Sequence, residues 1–182
     1  MNVRDLLVDP RVRQVDDWGE AIADRYRGRP VPDRIMYVLT ELGDWSLIWH
    51  IGGVSQALFG SDSDTRRVVR LSVTLGVESA VVNGFVKSLV DRDRPDQPEH
   101  PHGLRQPITS SFPSGHASAA ACAVTLLGDG RSLPVRLAWT ALGFGVAASR
   151  VYVGMHHVSD VVAGAVVGRA IGRFARRLMP IG

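Results

Sequence analysis

The sequence contains a single cysteine, Cys122, within the apolar run from Ala119 to Leu127. One thiol excludes an intrachain disulfide and any metal site built from several cysteines, so we expect Cys122 to be a small buried residue. The sequence also lacks the alternation of apolar and polar residues that marks β-strands, and it lacks an internal repeat. These absences favour a chain built from helices.

An excess of charge of one sign is also missing. The 182 residues include 21 Lys and Arg and 18 Asp and Glu, for a formal net charge of +3, and the basic residues are scattered among acids. Nucleic-acid binding requires clustered cations, so we expect no nucleic-acid partner. The amino-terminal residues lack the apolar stretch and cleavage site of a secretory signal, so insertion into a membrane would depend on internal segments.

The helical pattern divides the chain into an amino-terminal segment and five apolar ones. Trp18, Ile22 and Tyr26 have the spacing of a short amphipathic helix, which would lie on a protein or lipid surface. We predict an all-α fold in one domain over 1–182, with an amphipathic segment over 1–30 and an antiparallel helical bundle over 31–182. The apolar segments cover about residues 35–59, 66–90, 114–127, 133–149 and 159–178.

No segment offers a clean run of the roughly 20 apolar residues that cross a bilayer, so spanning is inferred from composition. The third and fourth segments are nearly uncharged and rich in small residues, which let membrane helices pack closely. Four ionisable residues within the supposed spans must then face the bundle interior or a polar cavity: Glu41, Asp44, His50 and Glu78. We predict five transmembrane helices, with a water-soluble helical bundle as the alternative.

Three short polar stretches lie at the ends of these segments. Residues 87–95 end the second segment, residues 113–116 begin the third, and residues 149–160 connect the fourth to the fifth. Neighbouring helix ends meet on one face of an antiparallel bundle, so we expect the three stretches to converge there. A catalytic site would therefore be assembled from residues 87–160.

The cations and the helix start in these stretches suit a phosphoryl group. The cations are Lys87, Arg94 and Arg150, and the fork of an arginine matches the geometry of phosphate oxygens. Ser114 and Gly115 fall at a predicted helix start, where unpaired backbone N–H groups and the helix dipole favour an anion. We therefore expect these five residues to bind phosphate.

Two histidines in the stretches can transfer phosphate and protons. His156 and Asp160 are four residues apart, which on a helix places both on one face, so the carboxylate can hold one ring nitrogen while the other faces phosphorus. His116, from a different helix, can give a proton to the leaving alkoxide and then take one from water. We interpret the remaining polar residues nearby as bystanders: His157 at the rim, Arg92 as a loop charge, and His100 and His102 as too cramped for a metal site.

Together these motifs resemble the type 2 phosphatidic acid phosphatase superfamily, which includes lipid phosphate phosphatases, bacterial acid phosphatases and vanadium haloperoxidases. The family pattern is K-x6-R-P, P-S-G-H and S-R-x5-H-x3-D, and this sequence fits all three motifs in order. Three motifs in the right order, each at a predicted helix boundary, are a specific signal.

The resemblance implies a role for each matching residue. His156 attacks phosphorus to give a phosphohistidine, Asp160 orients and stabilises its imidazole, and His116 acts as general acid and then as general base. Neither a metal nor another cofactor is expected, because side chains and amides take over the charge stabilisation that metals supply elsewhere. The residues that would hold the phosphate oxygens are Lys87, Arg94, Ser114, Gly115 and Arg150.

An embedded enzyme of this kind suits an amphiphilic lipid phosphate as its substrate. Candidates are phosphatidic acid, phosphatidylglycerol phosphate and polyprenyl mono- or diphosphates, with membrane lipid as a further partner and the oligomeric state open. Two alternatives remain: a vanadate-dependent haloperoxidase, in which vanadate occupies the same cradle, and a non-catalytic membrane protein that binds lipid through the anion site.

Five crossings place the catalytic helix ends and the carboxyl terminus on opposite faces. The face opposite the site carries several arginines, mostly in short loops: Arg66, Arg67, Arg70, Arg131 and Arg136. Positive residues in short loops favour the cytoplasm. We therefore expect a multi-pass cell-membrane protein whose site opens on the extracytoplasmic face.

Overall fold

The structure is a computed structural model that describes residues 3–95 and 108–181. Within those residues all regular secondary structure is helical and no β-strand occurs, which confirms the all-α prediction. A 3-10 turn, Asp44–Ser46, joins α3 to α4, and a π-helical segment, Ala80–Val86, joins α5 to α6 in one continuous helix. The α-helices are α1 Val3–Leu7, α2 Pro10–Asp24, α3 Pro30–Gly43, α4 Leu47–Leu58, α5 Asp62–Ser79, α6 Lys87–Leu89, α7 Gly115–Leu127, α8 Leu133–Tyr152 and α9 Val158–Leu178.

Helix α7 lies at the centre of the bundle and packs against α5, α8 and α9. The core around it includes Trp49 from α4, Leu71 from α5 and Val146 from α8, all completely buried. Cys122 is buried in the same core, as its apolar surroundings predict. The start of α7 is therefore enclosed by the ends of its neighbours.

Helices α7 and α9 are in backbone contact along a stripe of glycines. A Cβ atom at Gly164 would collide with the carbonyl oxygen of Ser114, and one at Gly168 would collide with the carbonyl oxygen of Ser118. Small residues are what allow helices to approach this closely in membranes. The contact fixes the start of α9 against the start of α7, which are the elements that carry the second and third motifs.

Replacing Gly168 with alanine should therefore destabilise the protein. The added methyl group overlaps backbone atoms of α7 that cannot move without separating the helices, and such overpacking lowers the unfolding temperature in detergent by roughly 5–10 °C. Gly76→Ala on α5 is the matched control, because a Cβ there meets nothing within 4 Å and alanine favours the helix. Equal unfolding temperatures for the two variants would contradict this packing.

The first apolar segment forms two helices rather than one. Helix α3 ends at Gly43 and α4 begins at Leu47. Between them Trp45 and Ser46 have left-handed φ angles of 54° and 59°, which a right-handed helix cannot accommodate. The prediction of one uninterrupted segment over residues 35–59 is therefore wrong, because a continuous apolar composition conceals the turn.

Length and hydropathy identify one candidate membrane-spanning helix among the described residues. Within residues 3–95 and 108–181, one helix, Asp62–Leu89, is long and apolar enough to span a bilayer, and the best window in it has a mean hydropathy of 1.3 and is 33% buried. Helix α7 is apolar but has only 13 residues. The number of five crossings therefore stays a prediction.

Helix α2 packs across the ends of α8 and α9. Arg27, just after this helix, donates hydrogen bonds of 3.0 and 2.7 Å to the carbonyl oxygens of Val151 and Tyr152. The face of α2 that meets the protein includes the buried Asp16, whereas Trp18 is 66% exposed. The amino-terminal segment thus belongs to the helical bundle, and a lipid-binding role for its outer face stays a prediction.

Candidate active site

A cavity of about 590 Å³ lies among the helix ends that the three motifs occupy. Six of the eight predicted site residues line it: Lys87, Arg94, Gly115, His116, Arg150 and His156. The other two, Ser114 and Asp160, have no exposed surface and do not line the cavity. The three stretches converge on one face, as the antiparallel arrangement predicts.

The His156 side chain is oriented by a backbone carbonyl. Its Nδ1 atom lies 2.6 Å from the carbonyl oxygen of Ser111, and the residue is only 2% exposed. A carbonyl oxygen can only accept a hydrogen bond, so Nδ1 carries the proton and Nε2 carries a lone pair. Burial lowers the pKa of His156 to about 3, which keeps the imidazole neutral at physiological pH. The arrangement is that of an oriented nitrogen nucleophile.

Asp160 contacts His156 differently from the sequence prediction. His156 does not lie on α9: its backbone N–H and that of Met155 bond to the carbonyl oxygen of Arg150, and the helix begins only at Val158. The expected placement of both residues on one helix face is therefore wrong. Asp160 Oδ2 lies 3.8 Å from His156 Nδ1, beyond a direct hydrogen bond.

The Asp160 carboxylate instead caps the start of α9. Its Oδ2 atom accepts a 2.9 Å hydrogen bond from the backbone N–H of His157, the residue that precedes the helix, and lies 3.3 Å from the ring Nδ1 of the same residue. These bonds hold a negative charge at the positive end of α9, close to the His156 ring. Thus His157 also contacts the site through Asp160 and is more than the rim residue we expected.

Arg92 connects Asp160 to the amino-terminal helix. It donates hydrogen bonds to Asp160 Oδ1 and, at 2.7 Å, to Asp16 Oδ2. Asp16 also accepts a 2.8 Å bond from the backbone N–H of Ser159, in the first turn of α9. The interpretation of Arg92 as a loop charge is therefore wrong. No motif or spacing in the sequence relates Asp16 to Arg92, which is distant along the chain.

The arginines that line the cavity are held in place by hydrogen bonds to neighbouring residues. Arg150 donates a 2.5 Å bond from Nη1 to Thr40 Oγ1, and its Nε has no hydrogen-bond partner among the residues that the structure describes. Arg94 donates a 2.6 Å bond from Nη1 to the carbonyl oxygen of Met155. Lys87 reaches the same cavity from α6. Together these residues provide positive charge and an unused buried donor.

The start of α7 forms the adjoining wall of the cavity. Ser114 caps the helix by accepting a 3.4 Å bond from the backbone N–H of Ala117, and its own N–H donates to the carbonyl oxygen of Asp160 at 3.0 Å. A Cβ atom at Gly115 would lie 2.6 Å from Oδ1 of Asn83 in the π-helical segment, so the glycine permits a close approach between that segment and the start of α7. The helix start is therefore fixed on one side by α9 and on the other by the π-helical segment.

Three of the four ionisable residues predicted to face a polar cavity do so. His50, Glu78 and Asp44 line the same space as the motif residues, whereas Glu41 is exposed. Asp44 Oδ1 lies 2.8 Å from Nε2 of His116. The sequence predicts that Asp44 faces the bundle interior or a polar cavity but gives no sign of this partner, and the Asp44 side chain is 53% exposed.

The described residues contain no group of three or more His, Cys, Asp or Glu placed to hold a metal ion. His100 and His102, which we interpreted as too cramped for a metal site, lie outside the described residues.

Comparison with known proteins identifies relatives of this arrangement. The model of the PAP2 superfamily matches residues 67–181. The chain is 34% identical over 125 residues to decaprenylphosphoryl-5-phosphoribose phosphatase of Mycobacterium tuberculosis, covering 67% of this chain and 68% of the relative. It is 30% identical over 131 residues to the undecaprenyl-diphosphatase BcrC of Bacillus subtilis, covering 68% of this chain and 65% of the relative.

A solved structure shows the same fold over nearly the whole chain. The crystal structure of a transmembrane PAP2 type phosphatidylglycerolphosphate phosphatase from Bacillus subtilis superposes with a TM-score of 0.74 and 24% sequence identity. The superposition covers 96% of this chain and 89% of that one. At this identity the likeness establishes the helical architecture, while the chemistry depends on the residues of the cavity.

Proposed function

Because this chain belongs to the PAP2 superfamily, we propose that its cavity hydrolyses a phosphomonoester or diphosphate of a glycerolipid or polyprenyl lipid through a phosphohistidine. The chain is a phosphatase and a membrane protein. The observation that carries the proposal is the orientation of His156: the Ser111 carbonyl fixes the proton on Nδ1, and the ring lines a cavity with Arg150 and His116.

The cavity would bind the phosphoryl group electrostatically. The guanidinium of Arg150 lines the cavity and can bind phosphate oxygens, and Lys87 and Arg94 add positive charge around the same space. Backbone N–H groups at Gly115 and the following residue, at the start of α7, can donate to another oxygen. Such preorganised donors stabilise the charge that develops on the oxygens during phosphoryl transfer.

The first half of the reaction would transfer phosphate to His156. The Nε2 lone pair forms a bond to phosphorus as the bond from phosphorus to the ester oxygen breaks, and a protonated His116 gives its proton to that oxygen. The positive charge that forms on the His156 ring is balanced by Asp160, whose carboxylate lies 3.8 Å from Nδ1. The products are the free alcohol and a phosphohistidine.

The second half would release inorganic phosphate. His116, now neutral, takes a proton from water as the water oxygen attacks phosphorus, and the bond from phosphorus to Nε2 breaks. His156 recovers its lone pair and His116 its proton, so the enzyme returns to its starting state. A diphosphate reacts in the same way, with a lipid monophosphate as the leaving group.

The lipid nature of the substrate is supported by the relatives and by the outer surface of the bundle. The names of the two relatives specify a decaprenylphosphoryl and an undecaprenyl compound. On α5, Val69, Val73 and Val77 follow one another by one helical turn and are all exposed, as a lipid-facing surface requires. We propose that the bundle crosses the membrane five times and that the amphipathic amino-terminal segment lies at the interface.

The proposed orientation places the cavity on the extracytoplasmic side. At the opposite end of the bundle, two carboxylates are outnumbered by the arginines around them: Asp64 pairs with Arg67 and Arg131, and Asp129 pairs with Arg70 and Arg176. An excess of arginine at that end supports a cytoplasmic location.

Phosphate release from a substrate panel in EDTA tests the proposed function. The chain is purified in detergent and given phosphatidic acid, phosphatidylglycerol phosphate, and a polyprenyl mono- and diphosphate. Phosphate release from at least one of them is expected at full rate in the chelator, because the cations of the cavity stabilise the phosphate. Activity that appears only after a divalent metal is added would contradict the mechanism, and peroxide-driven halide oxidation with added vanadate would favour a haloperoxidase instead.

A further inference from the structure

We propose that Asp44 is a positioning residue for His116, holding its imidazole and favouring the protonated ring that gives a proton to the leaving group. The inference rests on the proposed function, because it assigns His116 to that step. Asp44 Oδ1 lies 2.8 Å from His116 Nε2, and both residues line the cavity. The two atoms lie within ion-pair distance for a protonated ring, although Nε2 has no partner of hydrogen-bond geometry within the described residues.

The backbone around Asp44 is shaped to bring the carboxylate to His116. The residue lies in the turn between α3 and α4, where Trp45 and Ser46 both adopt left-handed φ angles. Such angles are unfavourable for residues other than glycine and persist where the surrounding structure requires them. The preceding Gly43 lies directly against the His116 ring: a Cβ there would come within 2.7 Å of Cδ2. The break in the helix thus places both Gly43 and Asp44 beside this histidine.

The electrostatics of the cavity explain why a carboxylate is needed there. Arg150 from α8, Lys87 from α6 and Arg94 from the following loop place three cations around a bound phosphate. These cations disfavour a protonated His116, which is the form that a general acid requires. The other titratable groups that line the space are His50 of α4, Glu78 of α5 and His156. Asp44 is the carboxylate in ion-pair contact with the His116 ring.

Asp44 and Asp160 would then serve different histidines. Asp160 lies beside His156 and balances the charge that forms on the nucleophile, whereas Asp44 holds one ring nitrogen of His116 and leaves the other for the leaving oxygen. Loss of Asp44 should weaken proton donation without removing the nucleophile. The loss of activity should therefore be larger for a leaving group whose departure requires protonation.

The test compares Asp44→Asn on two substrates that differ in leaving group. An alkyl monophosphate needs a proton on its departing oxygen, whereas 4-nitrophenyl phosphate leaves as a stable anion. We expect kcat/KM for the alkyl ester to fall by roughly 10- to 100-fold and kcat/KM for the nitrophenyl ester to fall by less than about threefold. The alkaline limb of the alkyl-ester profile should also move to lower pH, because removal of the carboxylate makes it easier for His116 to lose its proton.

Matched variants separate this role from a structural one. Glu41 is an exposed carboxylate on α3, and Glu41→Gln should leave both kcat/KM values unchanged. Asp44→Glu keeps the carboxylate and should have more alkyl-ester activity than Asp44→Asn. The glutamate variant also provides the test if the asparagine variant fails to fold. Equal losses on both substrates, or no loss on either, would overturn the role of Asp44. Failure of the proposed function would look different, since the unmodified chain would then release phosphate from neither ester.

Discussion

Replacing His156 with alanine is expected to reduce phosphate release by about a thousandfold or more, because the variant lacks the oriented nitrogen that forms the covalent intermediate. The ring is almost entirely buried but lines the cavity, and its Nε2 atom carries the lone pair because Nδ1 donates to the Ser111 carbonyl. The loss should appear in kcat for every substrate, good and poor leaving groups alike. Measurement of kcat and KM on the panel in EDTA provides the check.

The neighbouring histidine supplies the control for this variant. His157 contacts Asp160 and caps α9 but does not line the cavity. His157→Asn, which preserves a capping side chain, should lose less than about tenfold in kcat. Unfolding temperatures in detergent should be similar for both variants. An active and folded His156→Ala protein would show that the nucleophile is a different residue.

Replacing Arg150 with alanine is expected to reduce kcat/KM by about 100- to 1,000-fold. The residue is 94% buried by the surrounding helices, its Nη1 is held by Thr40, and it lines the cavity, so its charge is preorganised for a bound phosphate. Arg150→Lys keeps the charge but loses the planar fork, and it should recover less than about a tenth of the lost activity.

The control for Arg150 is an arginine on the same helix at the opposite end of the bundle. Arg136 is exposed in the first turn of α8, and Arg136→Ala should leave kcat/KM unchanged. Inorganic phosphate or vanadate should also bind more weakly to Arg150→Ala than to the unmodified protein. Unchanged inhibition by vanadate would show that Arg150 does not contact the phosphoryl group.

Much of the site is predictable from sequence because its residues lie at helix ends in an antiparallel bundle. The positions of Lys87, His116 and Arg150 follow from that topology, and the structure places all three around one cavity. The motif spacing also locates the starts of α7 and α9 within a few residues. Local signals are enough here because each motif coincides with a helix boundary.

The parts that sequence did not reveal are contacts between distant segments. The turn at Gly154, with a φ angle of 64°, precedes His156, so this histidine stands before α9 and bonds to Ser111 instead of Asp160. The link from Asp16 through Arg92 to Asp160 joins three separate elements. Neither spacing nor composition encodes such pairings, which arise only when the helices pack.

Rapid alkaline quenching of the enzyme during turnover of a substrate labelled with ³²P tests the proposed mechanism most directly. A phosphate bound to a histidine nitrogen is stable in alkali and labile in acid, so proteolysis at high pH and peptide mapping can locate it. The label is expected on His156, and it should be absent from the His156→Ala protein. Label on another residue, or rapid turnover with no trapped phosphate under any quench condition, would contradict a phosphohistidine at this position.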